Sequence, residues 1–115
     1  MTQGNLFIRL RSICERPQMY SPHFSLEHLF LFIHGYESAL TDVGKPGQHA
    51  RFEEWLHLKH SEWRLSSMWW GKHIFEACGA NLDRTLSEIV DLLDQFLTSE
   101  GAEFAASPST SRMGP

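Results

Sequence analysis

Cysteine is scarce in this 115-residue chain, which has only Cys14 and Cys78. Two thiols that far apart have neither the number nor the spacing of a disulfide framework or a zinc site. Both lie in apolar stretches, which predicts two buried thiols in a reducing compartment. Basic residues are also few: ten Lys and Arg stand against fourteen Asp and Glu, for a net charge of -4. The imbalance is local, with six basic and six acidic residues through position 60 but four basic and eight acidic beyond it. A nucleic-acid binder needs a basic face to neutralise phosphates, so that class is excluded and a cationic partner is favoured. No run approaches the roughly 18 uninterrupted apolar residues of a membrane span. The start, Met1-Thr2-Gln3-Gly4-Asn5, lacks the basic-then-apolar order of a secretory signal. A soluble cytoplasmic protein is expected. Missing too are a Gly-rich phosphate loop, a G-x-S-x-G elbow and a dinucleotide fingerprint, so no enzyme and no cofactor is expected.

What the chain does have is apolar material, 42% of its residues, and 12% aromatics, enough for one packed domain. Leu6, Leu10 and Ile13, with Phe7 and Cys14 beside them, share one helical face and predict a first helix stopped near Arg16 by Pro17. Residues 17–24 are expected to be a connector. Ser25 is placed to cap a second helix through Leu26, Leu29, Phe30, Ile33, Tyr36 and Leu40. Leu31, Phe32 and Ala39 widen its apolar surface almost all round, which predicts a central helix, and Gly35 within it suggests a close helix crossing. Gly44-Lys45-Pro46-Gly47 breaks the chain. A shorter, more polar third helix is expected over Phe52 to Lys59. A fourth is expected over Trp63 to Cys78, with Met68, Phe75 and Cys78 on one face and Trp69 and Trp70 pointing away from it.

The last helix has the clearest pattern, because Leu86, Ile89, Val90, Leu93, Phe96 and Leu97 fall in a single stripe. Asn81 or Asp83 caps its start and Gly101 marks its stop. The expected architecture is therefore all-α: a single-domain bundle of about five helices over residues 1–101, with a mobile tail over 102–115.

Three groups of residues have chemistry to weigh. Glu53, His57 and His60, spaced i, i+4 and i+7, share a helix face and have the ligand types for zinc or iron, but not the spacing of an H-E-x-x-H or Glu-x-x-His motif. Glu37 falls within the apolar stripe of its helix, where a carboxylate must find a donor or take up a proton, and Arg9, Arg11 and Arg16 are candidate partners. Glu88, Asp91 and Asp94 project opposite the apolar stripe of the last helix, with Asp83, Glu100 and Glu103 flanking them and Arg84 the one base. Beside that acidic ridge stands a surplus of tryptophans, Trp55, Trp63, Trp69 and Trp70, more than one small core readily encloses. Tryptophan is enriched at binding hot spots.

The run Arg16-Pro17-Gln18-Met19-Tyr20, then Ser25-Leu26-Glu27-His28-Leu29 and Phe32-Ile33-His34-Gly35-Tyr36-Glu37-Ser38-Ala39, resembles a pattern of small helical bacterial proteins, RPxMY followed by SLxxLxxFIxGYxxA. An aromatic segment at Phe52 to Trp55, a Trp at position 63 and the closing Leu92-Leu93-Asp94-Gln95-Phe96 continue the likeness over about residues 6–97. The resemblance implies a helical protein of the toxin-neutralising immunity kind and assigns no site residues. Taken with the charge pattern, it predicts a cytoplasmic immunity protein that occludes a cognate toxin through Glu88, Asp91, Asp94, Trp69 and Trp70. The alternatives are a metal-binding helical hydrolase or sensor using Glu53, His57 and His60, and a homodimeric structural or regulatory module closed by its tryptophans.

Overall fold

The computed structural model describes residues 5–100. It is all-α as predicted, and among the described residues there is no strand. Helix α1 (Leu6–Glu15) buries Leu6, Phe7, Leu10, Ile13 and Cys14, the face read from their spacing. Asn5 starts it, its Oδ1 accepting from the backbone N–H of Phe7 at 2.8 Å and of Ile8 at 3.4 Å. Pro17 ends α1 but then opens a single helical turn, α2 (Pro17–Tyr20), where a plain connector was expected. A proline suits a first helical position, because the N–H it lacks has no partner there in any case. None of the α2 residues is buried.

Ser25 precedes α3 (Leu26–Asp42) as predicted, and its N–H donates to His28 Nδ1 at 2.9 Å. The expectation of a central helix is corrected. Only Leu29 and Ile33 of α3 are buried, and Leu31 is 62% exposed. Phe32 meets Tyr20 edge to face at 6.0 Å, so part of the surplus apolar surface is covered by the small α2 turn and not by a further helix. Gly35 is no close crossing either, since a Cβ there would meet nothing within 4 Å.

Helix α4 (His49–Lys59) begins just before the predicted Phe52 and buries Phe52 and Leu56. The predicted fourth helix is split in two: a 3-10 turn over Ser61–Leu65, then a bent, non-helical segment, then α5 (Trp70–Ala77). Ser66 causes the break locally. Its backbone is extended and its Oγ accepts from the Met68 N–H at 3.0 Å, a side-chain bond that competes with helix propagation. The interruption resets the helical phase, so Trp70, expected to point outward, is 1% exposed and packs in the core.

Helix α6 (Leu82–Glu100) buries Leu86, Ile89, Leu93 and Phe96 of the stripe read from the sequence, leaves Val90 and Leu97 half-buried at its edge, and also buries Leu92, which that stripe did not include. Asn81 caps it through Oδ1, which accepts from the Arg84 N–H at 2.9 Å. The turn before it passes through the left-handed region at Gly79 (φ 69) and Ala80 (φ 58). Helix α6 packs against both α1 and α5, and around it gather the rings that knit the core. Phe96 lies 5.0 Å from Phe7 and 5.3 Å from Phe52, and Phe52 meets Trp70 at 5.1 Å, each pair edge to face. The predicted tail 102–115 lies outside the described residues.

Candidate partner-binding surface

Of the predicted acidic ridge, Glu88 and Asp91 stand exposed on the outer side of α6, and neither has an ion-pair partner among the described residues. Asp94 is already engaged. Its Oδ1 accepts from Arg11 Nε at 2.9 Å and its Oδ2 from Arg11 Nη2 at 3.3 Å, a two-pronged bridge from α6 to α1. Arg11 also reaches Glu15 one turn along α1, at 3.1 Å. Asp94 therefore belongs to the helix pairing more than to an open acidic face, while Asp83, like Glu88 and Asp91, faces solvent. Glu103 lies outside the described residues.

The two predicted tryptophans part company. Trp70 is core and has no surface to offer a partner. Trp69, the residue before α5, is half-buried, with Phe30 of α3 at 5.1 Å and Trp70 at 5.1 Å. Its ring lies over Gly71, where a Cβ would collide with it. Just before Trp69 the chain displays Leu65, which periodicity did not single out, and Met68, which was expected to share an apolar face with Phe75 and Cys78 and does not lie in the core. Leu65 is 95% exposed and Met68 36%, on a segment whose 3-10 turn buries none of its residues. Loops held on a rigid frame commonly carry recognition, and methionine adapts its shape to a partner. The sequence signal was the apolar Leu65 beside the helix-weakening pair Ser66-Ser67, a break that leaves its neighbours without a buried face.

The ends of that loop are fixed. On one side Trp63 lies between two imidazoles, His60 at 4.1 Å and His73 at 4.9 Å, with interplanar angles of 12° and 6°. On the other side Trp70 Nε1 donates to His49 Nε2 at 2.8 Å, which ties the first residue of α5 to the first residue of α4. His49 itself is placed by Glu37. The predicted arginine partners of Glu37 are not the ones it uses: its carboxylate accepts from the backbone N–H of Gln48 (3.1 Å to each oxygen) and of His49 (3.2 Å). A carboxylate at a helix start satisfies donors that would otherwise be unpaired and suits the positive end of the helix dipole. Burial lowers the His49 pKa, with His34 acting in the same direction, against the opposing pull of the Glu53 and Glu37 carboxylates.

Glu37 also lines a shallow depression of about 250 Å³ along α3, with His34, Ser38, Thr41 and Asp42. The metal-ligand set read from α4 is not assembled. His60 lies beyond the helix as its C-cap, stacked on Trp63 and 3.6 Å from Glu62. Among the described residues no three His, Cys, Asp or Glu side chains converge in a way that would hold a metal. Burial, with a smaller push from Glu15, raises the Cys14 thiol to about 12, so it stays protonated at neutral pH, as a core thiol should. Cys78 is only half-buried, against the expectation of two buried thiols. No helix among the described residues is long and apolar enough to cross a membrane. Comparison with family models, curated proteins and solved structures gives no match to the chain.

Proposed function

We propose that this chain is a bacterial immunity protein that binds a cognate toxin and neutralises it by covering a surface the toxin needs. The observation that carries the reading is the loop from Leu65 to Trp69, which presents Leu65 and Met68 to solvent and keeps Trp69 half-buried behind them. A rigid frame with an apolar tip is the arrangement from which binding hot spots are made, since desolvating a few anchors supplies most of the affinity. Glu88 and Asp91, exposed and unpaired among the described residues, favour approach by a basic partner. The likeness carried by Arg16 to Tyr20 and Ser25 to Ala39 supports the same class.

The test is co-expression of the chain with the product of the neighbouring upstream gene, followed by pull-down and a growth-rescue assay. Rescue by the wild-type chain, lost in a Leu65→Ser and Met68→Ser double variant that remains folded, is the expected result. A toxin-like neighbour that neither binds nor is neutralised would sink the proposal. A stable dimer in sedimentation that buries the Leu65 loop would favour the homodimeric reading instead.

A further inference from the structure

Several helix starts depend on two adjacent residues, Gln48 and His49. Gln48 Oε1 accepts from the Leu6 N–H at 2.7 Å, at the start of α1, while Glu37 holds the amides that start α4. The His49 ring receives Trp70 Nε1 at 2.8 Å, at the start of α5. An indole N–H can only donate, so His49 Nε2 must carry a lone pair and the proton of the neutral ring sits on Nδ1. Add a second proton and Nε2 becomes a donor facing a donor. The hydrogen bond then cannot exist.

The charged and titratable groups facing this ring are Glu53 on its own helix and Glu37 and His34 on α3, while α5 presents the uncharged Trp70 indole. The two carboxylates favour the imidazolium, but burial opposes it more strongly, so His49 takes its second proton only below the ordinary histidine value of 6.5. Trp70 is also the residue that directly follows Met68 and Trp69.

We infer that His49 is a pH-operated latch on the Leu65 to Trp69 loop: protonating its ring breaks the bond to Trp70 and releases the start of α5 together with the apolar segment before it. The inference rests on the loop being the docking element. It assigns the loop an ordered, binding-ready form at neutral pH and a loosened one in acid.

The test follows the indole N–H resonances of the 15N-labelled chain from about pH 7.5 to about pH 4.5, with circular dichroism in parallel. A Trp70→Phe variant assigns the Trp70 signal by its loss. The expected result is a single step below the free-histidine value, in which the Trp70 N–H shifts and exchanges faster with solvent while helical content is kept. His49→Gln, whose amide oxygen accepts the same bond without titrating, should abolish the step, and toxin binding should weaken about tenfold across it only in the wild type. An unmoved Trp70 signal in the folded wild type overturns the latch, as does an identical step in His49→Gln or global unfolding with no local step before it. The wild-type titration decides the matter even if the variant does not fold. Because the Trp70 step is read without any partner, a chain that binds no toxin would sink the proposed function and leave the latch standing.

Discussion

Glu37 Oε1 lies 2.5 Å from the place a Cβ on Gly47 would occupy, so the carboxylate that caps α4 can sit where it does only because residue 47 has no side chain. Gly47→Ala should therefore displace the cap and cost about 1 kcal/mol, as should Glu37→Ala by removing it. The two act on one contact, so the double variant should be little less stable than Glu37→Ala alone. Urea denaturation of the four chains closes the cycle. Fully additive losses would show that the cap and the glycine are independent.

Stability should fall in mild acid. Burial depresses the folded-state pKa of His49, so just below pH 6.5 the unfolded chain takes up a proton that the folded chain refuses. The contribution is fully present above the unfolded value and is lost as pH falls through the folded one. Urea midpoints measured at several pH values should show this slope in the wild type and a shallower one in His49→Gln.

Trp70 and Trp69, adjacent in sequence, should separate in their effects. Trp70→Phe keeps a ring against Phe52 but removes the donor to His49, for a loss of about 1 kcal/mol or more. Phe96→Ala, which empties the centre of the aromatic cluster, should cost about 3–5 kcal/mol. Thermal melts of both variants, with Trp69→Ala as the milder comparison, check the order.

Leu65→Ser should leave stability within about 0.5 kcal/mol of the wild type, because a side chain 95% exposed gives up almost no burial. It should nevertheless weaken partner binding. Charge-removing changes at Glu88 and Asp91 should slow association in a salt-dependent way, whereas Asp94→Asn should mainly loosen the solvent-exposed Arg11 bridge, with little effect on overall stability. Stopped-flow association at two salt concentrations tells these apart.

Ala80 sits at φ 58, a conformation that crowds its Cβ against the backbone. Ala80→Gly should relieve that and raise stability by about 0.5–1 kcal/mol, less what glycine adds to the freedom of the unfolded chain. A lowered urea midpoint would contradict it.

The helices α1 and α6 were legible from spacing alone, because each buries one continuous stripe and nothing interrupts its period. Helix α3 was misread as central because its apolar residues run almost all the way round. Leu31 and Phe32 widen its apolar surface, but periodicity cannot tell a second helix from the small α2 turn that packs on Phe32. Trp70 was misplaced because Ser66 breaks the helix and resets the count, so a projection that assumed one unbroken segment turned the residue to the wrong side.

By itself, then, the order of residues determined the helical class, the two stripes that form the centre of the core, the cap at Ser25 and the stop at Pro17, all of which depend on neighbours within a turn or two along the chain. The partners of Glu37, the burial of Trp70, the capture of Asp94 by Arg11 and the display of Leu65 were decided only in three dimensions. Each depends on where a distant segment comes to rest, and no local period records that.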